Sequence, residues 1–242
     1  MLSAEQLARL TSERAQPLVT MDLSALNPTQ PTPRAKGQLR EGLRYVRSTP
    51  ALAIPLLMMG AVGCLTYEFQ VSLPVMASRG LHVGASGYGF MTAAMGIGAV
   101  VGGLLVAARG RTGLLPLVVA AFGFGVAMLL ATVAPNLPVA LVALALAGGA
   151  SISFMSTGNS TLQLTADPAM RGRVMSLWFV AFQGSTPIGG PVVGITMSLL
   201  GARAGLGLGA LTCFVVALAG AAAASRIRSE RALARGDVAT AN

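Results

Sequence analysis

Six apolar runs fill the chain from about residue 50 to residue 225, and nearly every positive charge lies between them on one side. The runs cover residues 51–72, 88–108, 113–134, 139–163, 174–200 and 204–225. A bilayer's hydrocarbon core is about 30 Å thick, and an α-helix rising about 1.5 Å per residue crosses it in about 20 residues. Each run is long enough. In lipid a backbone must satisfy its own polar groups, which makes helices the spanning element for runs of this length. The pattern predicts an all-α membrane protein with six transmembrane helices.

Charge sets the orientation. If the segment ahead of the first run is cytoplasmic, six crossings return the C-terminus to the same side. Fifteen of the seventeen lysines and arginines then fall inside, and only Arg79 and Arg203 fall outside. This follows the positive-inside rule and predicts both termini in the cytoplasm. The net charge of +9 has the same origin. The arginines flank apolar runs instead of forming a patch, which argues against a nucleic-acid partner.

Composition agrees. Charged residues make up 10% of the chain and hydrophobic residues 54%, and mean hydropathy is +0.70. Thirty glycines suit close helix packing in lipid. Cys64 and Cys213 both fall inside apolar runs, so no disulfide framework is expected. No signal-peptide pattern precedes the first run. Three regions are expected: a polar cytoplasmic segment and linker at 1–49, the six-helix bundle at 50–225, and a cytoplasmic tail at 226–242. Within the first, residues 4–15 read as a weak helix and the proline-rich stretch 27–33 as a linker. The basic run 34–47 then approaches the membrane surface, where anionic lipid attracts it.

Three places within the runs carry polar chemistry. In the fourth run Ser153, Ser156, Thr157 and Ser160 recur at helical spacing, with Thr161 and Gln163 on the flanks of the same face. Such a stripe lines a water-filled cavity, or its hydroxyls bond back to their own helix and permit close packing. Glu68 is the only acidic residue inside any run. A carboxylate within the membrane is an ion or substrate site by default. Counted from residue 51, however, it lies about 26 Å along the first run. That depth favours a solvated carboxylate at the outer helix end, paired with Arg79. Tyr67 and Gln70 are its neighbours in an outer vestibule. In the fifth run Pro187 and Pro191 sit among Gly184, Gly189, Gly190 and Gly194. They predict a bend, either gating or static, with Gln183, Ser185 and Thr186 just before it.

Other motifs point nowhere. The paired glycines of residues 96–102 lie inside a run with no strand before them, so they are not a phosphate loop. Ser86 sits near the chain's single histidine, His82, but reads as a helix cap opening the second run. No metal cluster and no nucleophile–base pair is evident, so neither enzyme activity nor a cofactor is expected.

Three stretches resemble the C-terminal half of a major facilitator superfamily transporter, in the bacterial branch like the enterobactin exporter. Residues 39–50 resemble the cytoplasmic lead into the seventh helix of such proteins. Residues 68–74, 84–89 and 96–103 resemble helices seven and eight. The loop motif Arg171, Gly172, Arg173, running on to Trp178, then residues 183–191 and 201–203, resemble the region of helices ten and eleven. Residues 190–194 incompletely resemble the glycine–proline motif of antiporters.

The resemblance implies half of a twelve-helix bundle, with substrate bound between two six-helix halves that rock against each other. It places the fourth-run stripe on the substrate path. The acidic loop signature of the first half is absent. The expected function is therefore efflux of a small organic molecule as one half of a secondary transporter in a bacterial inner membrane. The expected partners are the lipid bilayer, a small-molecule substrate, and a complementary six-helix half or a second copy of the chain. The alternative is a truncated or accessory six-span protein that transports nothing.

Overall fold

The computed structural model describes residues 38–240. The expected helix at 4–15, the linker at 27–33 and the basic residues up to Lys36 lie outside the described residues. Those described form nine α-helices and one π turn, with no strand among them. In chain order they are α1 (Gln38–Ser48), α2 (Pro50–Leu65), α3 (Phe69–Val75) with a π turn at Met76–Gly80, and α4 (Gly84–Arg109). Then follow α5 (Leu114–Val133), α6 (Leu137–Thr165), α7 (Arg171–Phe182), α8 (Thr186–Leu200) and α9 (Ala204–Thr240).

Among the described residues, five helical stretches are long and apolar enough to cross a membrane: Pro50–Gly80, Gly84–Arg109, Leu114–Val133, Leu137–Thr165 and Ala204–Ser229. The expected fifth span, 174–200, is not one helix. It is the 12-residue α7 followed by the 15-residue α8, each shorter than the roughly 20 residues a crossing needs. The break falls at residues 183–185, ahead of the prolines. Pro187 has no N–H to donate to Gln183 and its ring crowds that carbonyl, which with Gly184 favours a break here, whereas Pro55 and Pro191 are carried inside helices. Pro187 itself occupies the first turn of α8, where proline fits, and the helix continues through Pro191.

Other boundaries move as well. The first run is expected to end at Ser72, yet helical structure persists to Gly80. Ser86 does not cap α4. That helix begins at Gly84 after His82 and Gly84 take left-handed φ values of 57° and 65°. The last helix extends past residue 225 to Thr240, carried by an alanine- and arginine-rich sequence of high helix propensity.

Glycine decides the tightest packing. A β-carbon on Gly98 would strike the Ala145 carbonyl oxygen, and one on Gly148 would strike that of Met95. One on Gly102 would lie 2.5 Å from the α-carbon of Gly149. Helices α4 and α6 therefore meet backbone to backbone, the contact that small residues permit in membranes. Asn136 caps α6 by accepting a 3.1 Å hydrogen bond from the Val139 amide. Phe124, Leu144, Phe154 and Leu162 fill the interior, with no exposure or almost none.

Helix α1 is amphipathic and lies against the bundle. Gly42 and Val46 are buried, while Arg40, Arg44 and Arg47 face outward. Tyr45 Oη donates to Asp167 Oδ2 at 2.9 Å and accepts from the Asp167 amide at 3.2 Å. Arg173 pairs with Glu41 at 2.9 Å. Together these tie α1 to the α6–α7 loop and the start of α7.

Candidate functional site

Two interrupted helical rods meet at one point. The first interruption is at residues 66–68, between α2 and α3. No proline or glycine causes it. Thr66 Oγ1 donates to the Gly209 carbonyl on α9 at 3.1 Å, and Tyr67 Oη donates to the Ser151 carbonyl on α6 at 2.6 Å. A β-branched and an aromatic residue, both anchored to neighbouring helices, pull the chain out of helical register. The helix restarts at Phe69. There the Glu68 carbonyl accepts from the Val71 and Ser72 amides and from Ser72 Oγ, at 2.9–3.2 Å.

The second interruption, at 183–185, lies against the first. Cys64 Sγ approaches the Ser185 carbonyl at 3.8 Å. A β-carbon on Gly189 would overlap the Cys64 carbonyl oxygen, so only glycine lets these backbones touch. That same β-carbon would be 2.9 Å from Glu68 Oε1, and one on Gly190 would be 3.6 Å from Oε2. The carboxylate thus rests on the Gly189–Gly190 pair, beside the first turn of α8.

Glu68 is only 5% exposed, in contrast to the solvated helix-end carboxylate favoured by its count along the first run. It is not at the end of its rod: twelve further helical residues, about 18 Å, follow it. Tyr67, next to it, reaches Ser151 at the middle of α6. Arg79 is not its partner; the ion pair among the described residues joins Arg173 to Glu41. An aromatic cluster closes one side. The Tyr67 ring lies edge-on to Phe182 at 4.7 Å and to Phe124 at 5.5 Å, and Trp178 stacks on Phe182 at 5.8 Å.

The other polar residues singled out in the sequence are not gathered here. Gln70 and Gln183 are exposed, unlike the buried carboxylate. Ser153 Oγ bonds back to the Gly149 carbonyl at 2.8 Å, as the packing alternative requires, and Thr161 does the same to Thr157. Ser156 and Ser160 are half-buried and make no side-chain hydrogen bond among the described residues. Gln163 is exposed and donates to Asn159 on its own helix. Thr157, 6% exposed, and Ser153 both line a separate cavity between α4, α5 and α6. In the loop motif, Arg171 and Gly172 are exposed, while Arg173 holds α1. Gly189, as the surface on which Glu68 rests, had one sequence signal: its place two residues after Pro187.

The sequence profile of the transmembrane secretion effector family matches residues 18–237, nearly the whole chain. The chain belongs to the transmembrane secretion effector family. This is a major-facilitator-type family, so the chain is a multi-pass membrane protein of the transporter kind. Comparison with curated proteins and with solved structures gives no significant match. Within a family of transporters, a carboxylate held at two broken helices is suited to binding and releasing a proton or a small cation.

Proposed function

We propose that the chain is one six-helix half of an efflux transporter for a small organic molecule, in the bacterial branch like the enterobactin exporter. In this reading it crosses the inner membrane six times, with α7 and α8 together as the fifth crossing and both ends in the cytoplasm. Glu68 is the ion-coupling group. The observation that carries the reading is the burial of this carboxylate where two interrupted helices meet. Interrupted helices expose backbone ends inside the membrane, which is how transporters of this general kind build ion and substrate sites. A carboxylate serving only solubility has no reason to be placed there.

The other half comes from a complementary six-helix chain or from a second copy. Helix α4 supports this, because its spanning window is only 17% buried while those of the other four spanning stretches are 39–44% buried. The half-buried hydroxyls of Ser156 and Ser160 also need a polar surface or water beside them. Co-expression with a complementary half should raise the level of the chain in the membrane and restore efflux of a toxic organic compound in a sensitive host. The mass of the detergent-solubilised complex should be that of a pair. An accessory role without transport predicts assembly but no efflux in that assay. A stable monomer exporting unaided would sink the half-transporter reading.

A further inference from the structure

The cavity shared by α4, α5 and α6 has a volume of 330 Å³ and does not belong to the Glu68 site. Its lining combines two arginines, Arg109 at the end of α4 and Arg111 in the following loop, with apolar walls from Val106, Leu115 and Val119. Thr157 closes the back with a hydroxyl. No carboxylate lines it, and neither arginine forms an ion pair among the described residues. Gly110, between them, takes a left-handed φ of 56° as it ends the helix. Leu115 and Val119 are 52% and 64% exposed, so the apolar wall continues onto the outer surface of the bundle.

We infer that this cavity binds an anionic phospholipid, with its phosphate on Arg109 and Arg111 and an acyl chain along Leu115 and Val119. Guanidinium groups bind phosphate oxygens through paired, charge-assisted hydrogen bonds. Two of them without a carboxylate partner among the described residues leave a positive site at the level where headgroups lie, since the arginines end a spanning helix. A free phosphate shares the headgroup chemistry but gains nothing from the apolar wall. This inference does not depend on transport by the chain.

The test uses the full chain purified in detergent. Phosphatidylglycerol, phosphatidylcholine and inorganic phosphate are added separately, with retained lipid measured by native mass spectrometry and thermal unfolding followed in parallel. Phosphatidylglycerol should be retained and should raise the unfolding midpoint; phosphatidylcholine and inorganic phosphate should not. Arg109→Gln and Arg111→Gln should each weaken retention by about fivefold or more, the ordinary worth of one basic side chain beside an anionic headgroup. Leu115→Trp, which narrows the cavity without changing charge, should also lower retention. Arg79→Gln, which removes an exposed arginine that does not line the cavity, should retain lipid as the parent does. Equal retention of both lipids, an equal loss in Arg79→Gln, or the same midpoint shift with phosphate alone would overturn the proposal.

Discussion

A β-carbon on Gly189 would overlap the carbonyl oxygen of Cys64 and lie 2.8 Å from its carbonyl carbon. Backbone cannot step aside as a side chain can. Gly189→Ala is therefore expected to force the two broken rods apart, at a cost of about 1–3 kcal/mol for overpacking. Gly194→Ala, further along the same helix with nothing within 4 Å, should be close to neutral. Thermal unfolding of the two variants in detergent measures the difference, and equal midpoints would mean that the contact is not made.

Glu68→Gln keeps the shape of the side chain and removes its charge and its titration. The variant should reach the membrane at parental levels yet lose ion-driven efflux, because a neutral amide cannot bind and release a proton or cation. Glu68→Asp, with a shorter reach from the same backbone, should retain part of the activity. Drug accumulation in cells carrying each variant, normalised to protein level, separates the outcomes. Undiminished efflux by Glu68→Gln would remove this carboxylate from coupling.

The α6 stripe is open to direct probing. Cysteines at Ser153, Thr157 and Ser160 should react with a small water-soluble thiol reagent in the assembled protein. A cysteine at Phe154, which is fully buried, should be protected, and so should one at Ile152, which faces α4 near Gly103. Uniform protection would assign the stripe to helix packing alone.

Orientation is checked with reporter fusions. Fusions after Arg111, Met170 and Arg228 should report the cytoplasm, and fusions near Arg79, Asn136 and Ala202 the opposite side. One reversed site would break the six-crossing arrangement, including the crossing built from α7 and α8.

Tyr45→Phe removes two hydrogen bonds to Asp167 while keeping the ring. The expected loss is about 1–3 kcal/mol from the docking of α1. Removing the Glu41–Arg173 pair through Glu41→Gln should matter less, about 0–1 kcal/mol, because Glu41 is half exposed. Protease susceptibility of the α1–α2 junction reports both.

Hydropathy alone carries most of the helix count, because a membrane demands long apolar runs and turns fall where they stop. It ends the first run at Ser72, since Ser78, Arg79 and Gly80 lower the average, and this shifts the apparent depth of Glu68 outward. The break at 66–68 has no local mark: Leu65 through Phe69 contains no glycine or proline. It arises from Thr66 and Tyr67 bonding to α9 and α6, partners 143 and 84 residues away in the chain. The break at 183–185 is legible once the ring of Pro187 is read as acting four residues upstream. That Arg109 and Arg111 face Thr157 across a cavity depends on helix rotation, which sequence spacing alone does not set.

The glycine seam between α4 and α6 has a mechanical meaning. Side chains that interdigitate can change rotamer and let helices slide, but two backbones in contact have no such freedom. Helices α4 and α6 therefore behave as a single stiff beam. The rods interrupted at 66–68 and 183–185 lack a continuous helical ladder there, so under the transport reading proposed above the flexing falls at these breaks, beside Glu68.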